Sequence, residues 1–125
     1  MTLAGFSSRY FEVSDVDGTV IASFGGGPLN EEENIDELGQ SLFQLVEQLG
    51  FRRVVIDLSR VPYVTSSVLG KLITLHRKLN RVEGRLLLCG LQETVQQVMQ
   101  RSNLLEYFDV FESVETAQAE IEETG

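Results

Sequence analysis

The chain has little of what most catalytic and metal centres are built from. Its 125 residues include one histidine, one cysteine, two prolines and no tryptophan. A lone cysteine excludes an internal disulfide. Cys89 ends the apolar run Leu86-Leu87-Leu88-Cys89, which predicts a buried, inert thiol and fits a reducing compartment. No apolar stretch approaches membrane-spanning length, so no direct membrane insertion is expected. The start, Met1-Thr2-Leu3-Ala4-Gly5, lacks the basic and apolar regions of a signal peptide, and a cytoplasmic location is expected. Basic residues are also few: ten against nineteen acidic ones, a net charge of −9 that repels phosphate backbones and argues against a nucleic-acid partner.

What is present is an ordinary globular composition, 42% hydrophobic, in a length that suits one domain over 1–125 with a core of about 9–122. The charges are unevenly spread. Residues 52–85 hold eight basic side chains against Asp57 and Glu83, whereas no Lys or Arg follows Arg101. Two faces of opposite sign would suit a docking protein; ordinary solvated charge explains the same pattern.

Pattern and punctuation predict an alternation of strands and helices. Residues 9–14 and 19–24 have strand composition, with the hairpin signal Asp17-Gly18 between them. Gly25-Gly26-Gly27-Pro28 breaks the chain, and without a following Gly-Lys-Ser/Thr it reads as a loop rather than a phosphate cradle. Asn30 is the expected cap of a first helix, with Glu31, Glu32 and Glu33 at the positive end of its dipole. Ile35, Leu38, Leu42, Leu45, Val46 and Leu49 give that helix an inward face, and Gly50 closes it. Val54–Leu58 reads as a buried strand, 66–80 as a helix with Leu69, Leu72, Leu75 and Leu79 inward, and 85–89 as another strand. A helix over 93–101 with Val95, Val98 and Met99 inward, an edge strand over 109–111 and a helix over 114–122 complete the series. The fold class is α/β: a small mixed β-sheet, an opening hairpin then parallel strands, with helices mainly on one face.

Standard catalytic constellations are hard to assemble here. His76 has no ligand-type residue three or four positions away. It lies ten residues from Ser66 in the same predicted helix, about 15 Å along the axis and outside hydrogen-bond reach. No catalytic residue, metal or cofactor is therefore expected, and the protein reads as a non-enzyme. The junction Pro62-Tyr63-Val64-Thr65-Ser66-Ser67-Val68-Leu69-Gly70 stands out instead, because three consecutive hydroxyls open a helix just after a buried strand. Helix capping accounts for one of them. A hydroxyl at such a point is also well placed to carry a phosphate, which backbone N–H groups and the helix dipole would steady.

At this junction the chain resembles the STAS family of sulfate transporters and anti-sigma factor antagonists. The family pattern is an apolar strand ending in Asp-Leu-Ser, then Asp-Ser-Ser-Gly-Leu-Gly opening a helix. Here Val54-Val55-Ile56-Asp57-Leu58-Ser59 and Thr65-Ser66-Ser67-Val68-Leu69-Gly70 stand in those places. The likeness runs on through Gly84–Gly90 to Leu104-Leu105-Glu106-Tyr107-Phe108. The resemblance implies a bacterial, cytoplasmic STAS-like phosphoprotein that regulates transcription by partner switching. It makes Ser66 the phospho-acceptor, with Thr65 or Ser67 as a second acceptor, and Thr65, Ser66, Ser67, Val68 and Lys71 the partner-binding set. The implied partners are a serine kinase that is itself the anti-sigma factor, and a PP2C-type phosphatase. A monomer or weak dimer is expected. Two departures stand out: Thr65 replaces the aspartate, adding a further acceptor, and Val68 replaces a glycine, adding bulk where a partner approaches. An alternative within the family is a STAS adaptor subunit of a membrane transport complex without phosphorylation; an acyl- or phosphoryl-transfer enzyme ranks below both.

Overall fold

The computed structural model describes residues 6, 8–25 and 32–124. Asn30, Glu31, the side chains of Glu32 and Glu33, and Gly26, Gly27 and Pro28 lie outside what is described, and so do the cap and loop expectations that rest on them. The described residues form five strands and four helices. They run β1 (Phe11–Val16), β2 (Thr19–Phe24), α1 (Glu32–Glu47), β3 (Arg53–Asp57), α2 (Ser66–Arg81), β4 (Arg85–Cys89), α3 (Glu93–Arg101), β5 (Asp109–Phe111) and α4 (Val114–Thr124). The sheet order is β1-β2-β3-β4-β5, so β3 is central. β1 and β2 are antiparallel; every later pair is parallel.

The hairpin turns on Asp17 and Gly18, both at positive φ (52° and 86°), which pairs Val16 directly with Thr19. That two-residue turn matches the twist of the strands it joins. It also draws Asp15 and Val16 into β1, so the strand runs two residues later than its composition suggested.

Alternation along the inner strands divides the core. Val54, Ile56, Leu86 and Leu88 face α1, α2 and α3 in one large cluster. Val55, Leu87, Cys89 and Ile21 face the other way, where Ala117 and Ile121 of α4 cover them. Three helices on one face and one on the other agree with the expected arrangement. Strands buried on both faces read as continuous apolar runs for this reason.

Leu49, expected in the inward face of α1, is 43% exposed. The helix ends at Glu47, Gly50 turns the chain at φ 76°, and the amide of Phe51 donates to the carbonyl of Leu45. Past the last helical turn the helical period no longer applies. Val98 is only partly buried, while Val95 and Met99 are fully so.

Candidate functional site

The hydroxyl-bearing junction lies at the carboxyl end of the central strand. The carboxylate of Asp57, the last residue of β3, accepts a hydrogen bond from the amide of Ser59 at 3.0 Å. The amide of Leu58 donates to the carbonyl of Cys89 at 2.9 Å, and Leu58, Val61 and Val64 are buried. The loop from 58 to 65 is thus pinned from below by apolar side chains, while Tyr63 stands 53% exposed between two of them.

A second set of contacts braces the loop from the side. The side-chain Nε2 of Gln92 donates to the carbonyl of Ser59 at 2.9 Å, and the hydroxyl of Thr94 donates to the carbonyl of Pro62. Gln92 occupies the N-cap position of α3 without capping it, since its side chain is turned to the loop. Gly90 makes the approach possible. It sits at φ 71°, and a Cβ there would come within 3.0 Å of Asp57 Oδ1 and Ser59 Cβ. Sequence reading did not single out Gln92, Thr94 or Gly90 as site residues. A glutamine where Ser, Thr, Asp or Asn usually caps a helix was the available signal.

Thr65 is the residue that caps α2. Its backbone is extended (φ −92°, ψ 164°), and its hydroxyl oxygen accepts a bond from the amide of Val68 at 3.3 Å. Ser66 and Ser67 are therefore relieved of capping. Both are exposed, and neither hydroxyl makes a hydrogen bond among the described residues. They occupy the first turn of a 16-residue helix that carries no acidic residue there, whereas α3 and α4 have Glu93 and Glu115 in their first turns. Their amides are among the four that an α-helix leaves unbonded at its start, so the place favours an anion.

The other expected site residues separate. Lys71, one turn beyond Ser67, is only partly exposed and bonds Asp36 of α1 at 3.1 Å. Its stem lies against Gly39, where a Cβ would stand 2.7 Å from Lys71 Cδ. Val68 is fully buried and joins Leu72, Leu75 and Leu79 in the core. The bulk it adds relative to glycine faces inward, so the expectation that this bulk meets a partner is corrected. Its spacing of four, seven and eleven residues from those leucines was the signal in the sequence.

His76 lies apart from the junction. It packs edge-on against Tyr107 and Phe108, with ring centres 5.0 and 5.6 Å away, and its Nδ1 is buried without a partner. Cys89 is fully buried. Burial first, and then the carboxylates of Asp57 and Glu115, push its thiol from 9.0 up to about 12, which keeps it protonated. No group of three metal-ligating side chains occurs among the described residues, nor any helix long and apolar enough to cross a membrane.

Fold and junction together define a small α/β domain of mixed sheet that presents a hydroxyl-bearing helix start at the end of its central strand. A profile of the STAS domain family matches residues 12–117, and the chain belongs to that family. A curated relative, BtrV of Bordetella bronchiseptica, assigned as an anti-sigma factor antagonist, is 36% identical over 104 residues, covering 83% of this chain and 87% of its own. Among solved structures, a protein of Thermotoga maritima with the same assignment superposes with a TM-score of 0.80 at 21% identity, over 90% of this chain and 94% of its own. The anti-sigma factor antagonist SpoIIAA in its unphosphorylated form superposes with a TM-score of 0.67 at 19% identity, over 88% and 94%. The Bacillus SpoIIAA in its phosphorylated form does so at 0.68 and 20%, over 89% and 98%.

Proposed function

We propose that this chain is an anti-sigma factor antagonist that works in the cytoplasm by binding a protein partner, and that phosphorylation of Ser66 switches the binding off. The partner is a serine kinase that doubles as the anti-sigma factor, and a PP2C-type phosphatase resets the switch. The observation that carries the reading is the division of labour at the start of α2. Thr65 performs the cap, which leaves Ser66 exposed, without a hydrogen bond among the described residues, and beside the unbonded amides at the very start of the helix. The assignment of BtrV, and the phosphorylated and unphosphorylated forms in which SpoIIAA has been solved, support the same reading.

On this reading one phosphate acts through its charge. It adds roughly 1.5 to 2 negative charges at neutral pH. On the free domain those charges meet the amides and dipole of α2 and are tolerated. Inside a packed interface the same dianion must shed water, which is strongly unfavourable without a matching cation. Binding is lost while the fold stays intact.

The direct test is incubation with the cognate kinase and ATP, followed by mass spectrometric mapping. One phosphate on Ser66, absent from Ser66→Ala, is the expected result. Phosphate on Ser67 or Thr65 would reassign the acceptor, and no transfer at all would leave the unswitched adaptor role as the better account.

A further inference from the structure

The exposed side of α2 continues well beyond the serines. Ser66, Gly70, Arg77 and Arg81 are spaced by four, seven and four residues. On an ideal helix that keeps them within about 60° of arc and spreads them over about 22 Å. All four are exposed. The two flanks of the helix are occupied. On one side Lys71 and Lys78 are tied to Asp36 and Glu47 of α1, each at 3.1 Å. On the other, His76 is packed against Tyr107 and Phe108. Among the described residues, nothing covers Ser66, Gly70, Arg77 and Arg81 on the ridge between the flanks.

Two features of this ridge are not accounted for by contacts inside the domain, although Arg81, in the last turn, also complements the dipole of α2. Gly70 sits in the helix interior, where glycine is destabilising by up to about 1 kcal/mol relative to alanine. Yet a Cβ at that position would meet nothing within 4 Å, and no positive φ calls for glycine there. Arg77 and Arg81 form no ion pair among the described residues, in a chain of net charge −9. An omitted side chain leaves room for close approach of another surface, and unpaired arginines on an acidic protein select carboxylates.

We propose that the whole ridge, from Ser66 to Arg81, is one docking track for a protein partner that fits closely over Gly70 and presents an acidic patch to Arg77 and Arg81. The inference rests on the partner-switching reading and adds to it the chemistry of the partner's surface. Arg77 lies about 16 Å along the axis from Ser66. That is twice the screening length of about 8 Å at physiological salt, so the arginines act on the partner and not on a phosphate at Ser66.

Titrations of the purified cognate kinase test the track, using Gly70→Ala, the double variant Arg77→Ala/Arg81→Ala, and Ser66→Asp. Gly70→Ala should melt higher by about 3–6 °C, as its helix improves, yet bind about tenfold more weakly through faster dissociation. The arginine variant should melt like the parent, associate about tenfold more slowly at low salt, and lose most of the salt dependence of association. Effects at Ser66 and at the arginines should add, given their separation. Parental affinity in Gly70→Ala, or an unchanged salt dependence in the arginine variant, would overturn the track. If Ser66→Asp binds like the parent while the other two are weakened, the switch fails and the track stands. If only Ser66→Asp is weakened, the switch stands and the track fails.

Discussion

Thr65 holds the start of α2 by one 3.3 Å bond to the amide of Val68. Thr65→Ala should therefore cost about 1 kcal/mol, with a thermal midpoint lower by roughly 3–6 °C. Thr65→Asp restores the aspartate of the family pattern, keeps the capping oxygen, and should melt at least as high as the parent. An unchanged midpoint in Thr65→Ala would mean that another group caps the helix and that Ser66 is not spare. Val68→Gly also restores the family residue, but here it empties a fully buried position. Lost valine burial and a helical glycine together predict a cost of roughly 2–4 kcal/mol, measurable by urea denaturation. Cys89 makes a prediction in pH. Its thiol is raised from 9.0 to about 12, so the fold favours the protonated form. That contribution is complete below about pH 9 and is lost as the pH rises from there toward 12. Cys89→Ala should flatten the alkaline decline of stability across this window, and an equally steep decline in the variant would show that the thiol does not titrate with unfolding. Burial of Cys89 could be read from its apolar run. Burial of Val68 could be read only by setting helical phase above family resemblance.

Among the elements, β2, β4, α3 and β5 were legible in the sequence to the residue. β4 lies between Gly84 and Gly90, and β2 follows Asp17-Gly18; both match their expected limits. Gly84 is a steric necessity as well as a boundary, because a Cβ there would stand 2.4 Å from the carbonyl oxygen of Arg52. The bounds of β1 drifted by two residues, because turn geometry governs its register. The brace between the β3–α2 loop and α3 was not legible, since it joins residues about thirty positions apart through a side-chain amide and a hydroxyl. Its function is open to measurement. The double variant Gln92→Ala/Thr94→Ala should lose only about 1–3 kcal/mol of stability, while amide exchange rises selectively over 59–65. Partner affinity should fall with it, because a loosened loop must be ordered on binding. Unchanged exchange in the loop would show that the apolar anchors Leu58, Val61 and Val64 hold it by themselves.

At the scale of the whole molecule, the two blocks of charge seen along the chain meet at Arg85. Arg85, from the basic block, bonds Asp109 at 3.3 Å and Glu120 at 3.2 Å, both from the acidic one. Lys71 and Lys78 are spent on α1. Pairing across the fold takes up three of the eight basic side chains of that block, and Arg77 and Arg81 are among the five that stay without an ion pair among the described residues. The central β3 is buried on both faces and delivers its carboxyl end to a pinned and braced loop. On the proposed reading, a phosphate at Ser66 would arrive on a surface that has no need to move. The account stands or falls on one comparison: calorimetric titration of the cognate kinase into Ser66→Ala and Ser66→Asp, with thermal melts of both. Tight binding by Ser66→Ala, binding at least about tenfold weaker by Ser66→Asp, and midpoints within a few degrees of each other are predicted. Equal affinities for the two variants, or a Ser66→Asp protein that loses binding only because it unfolds, would contradict it.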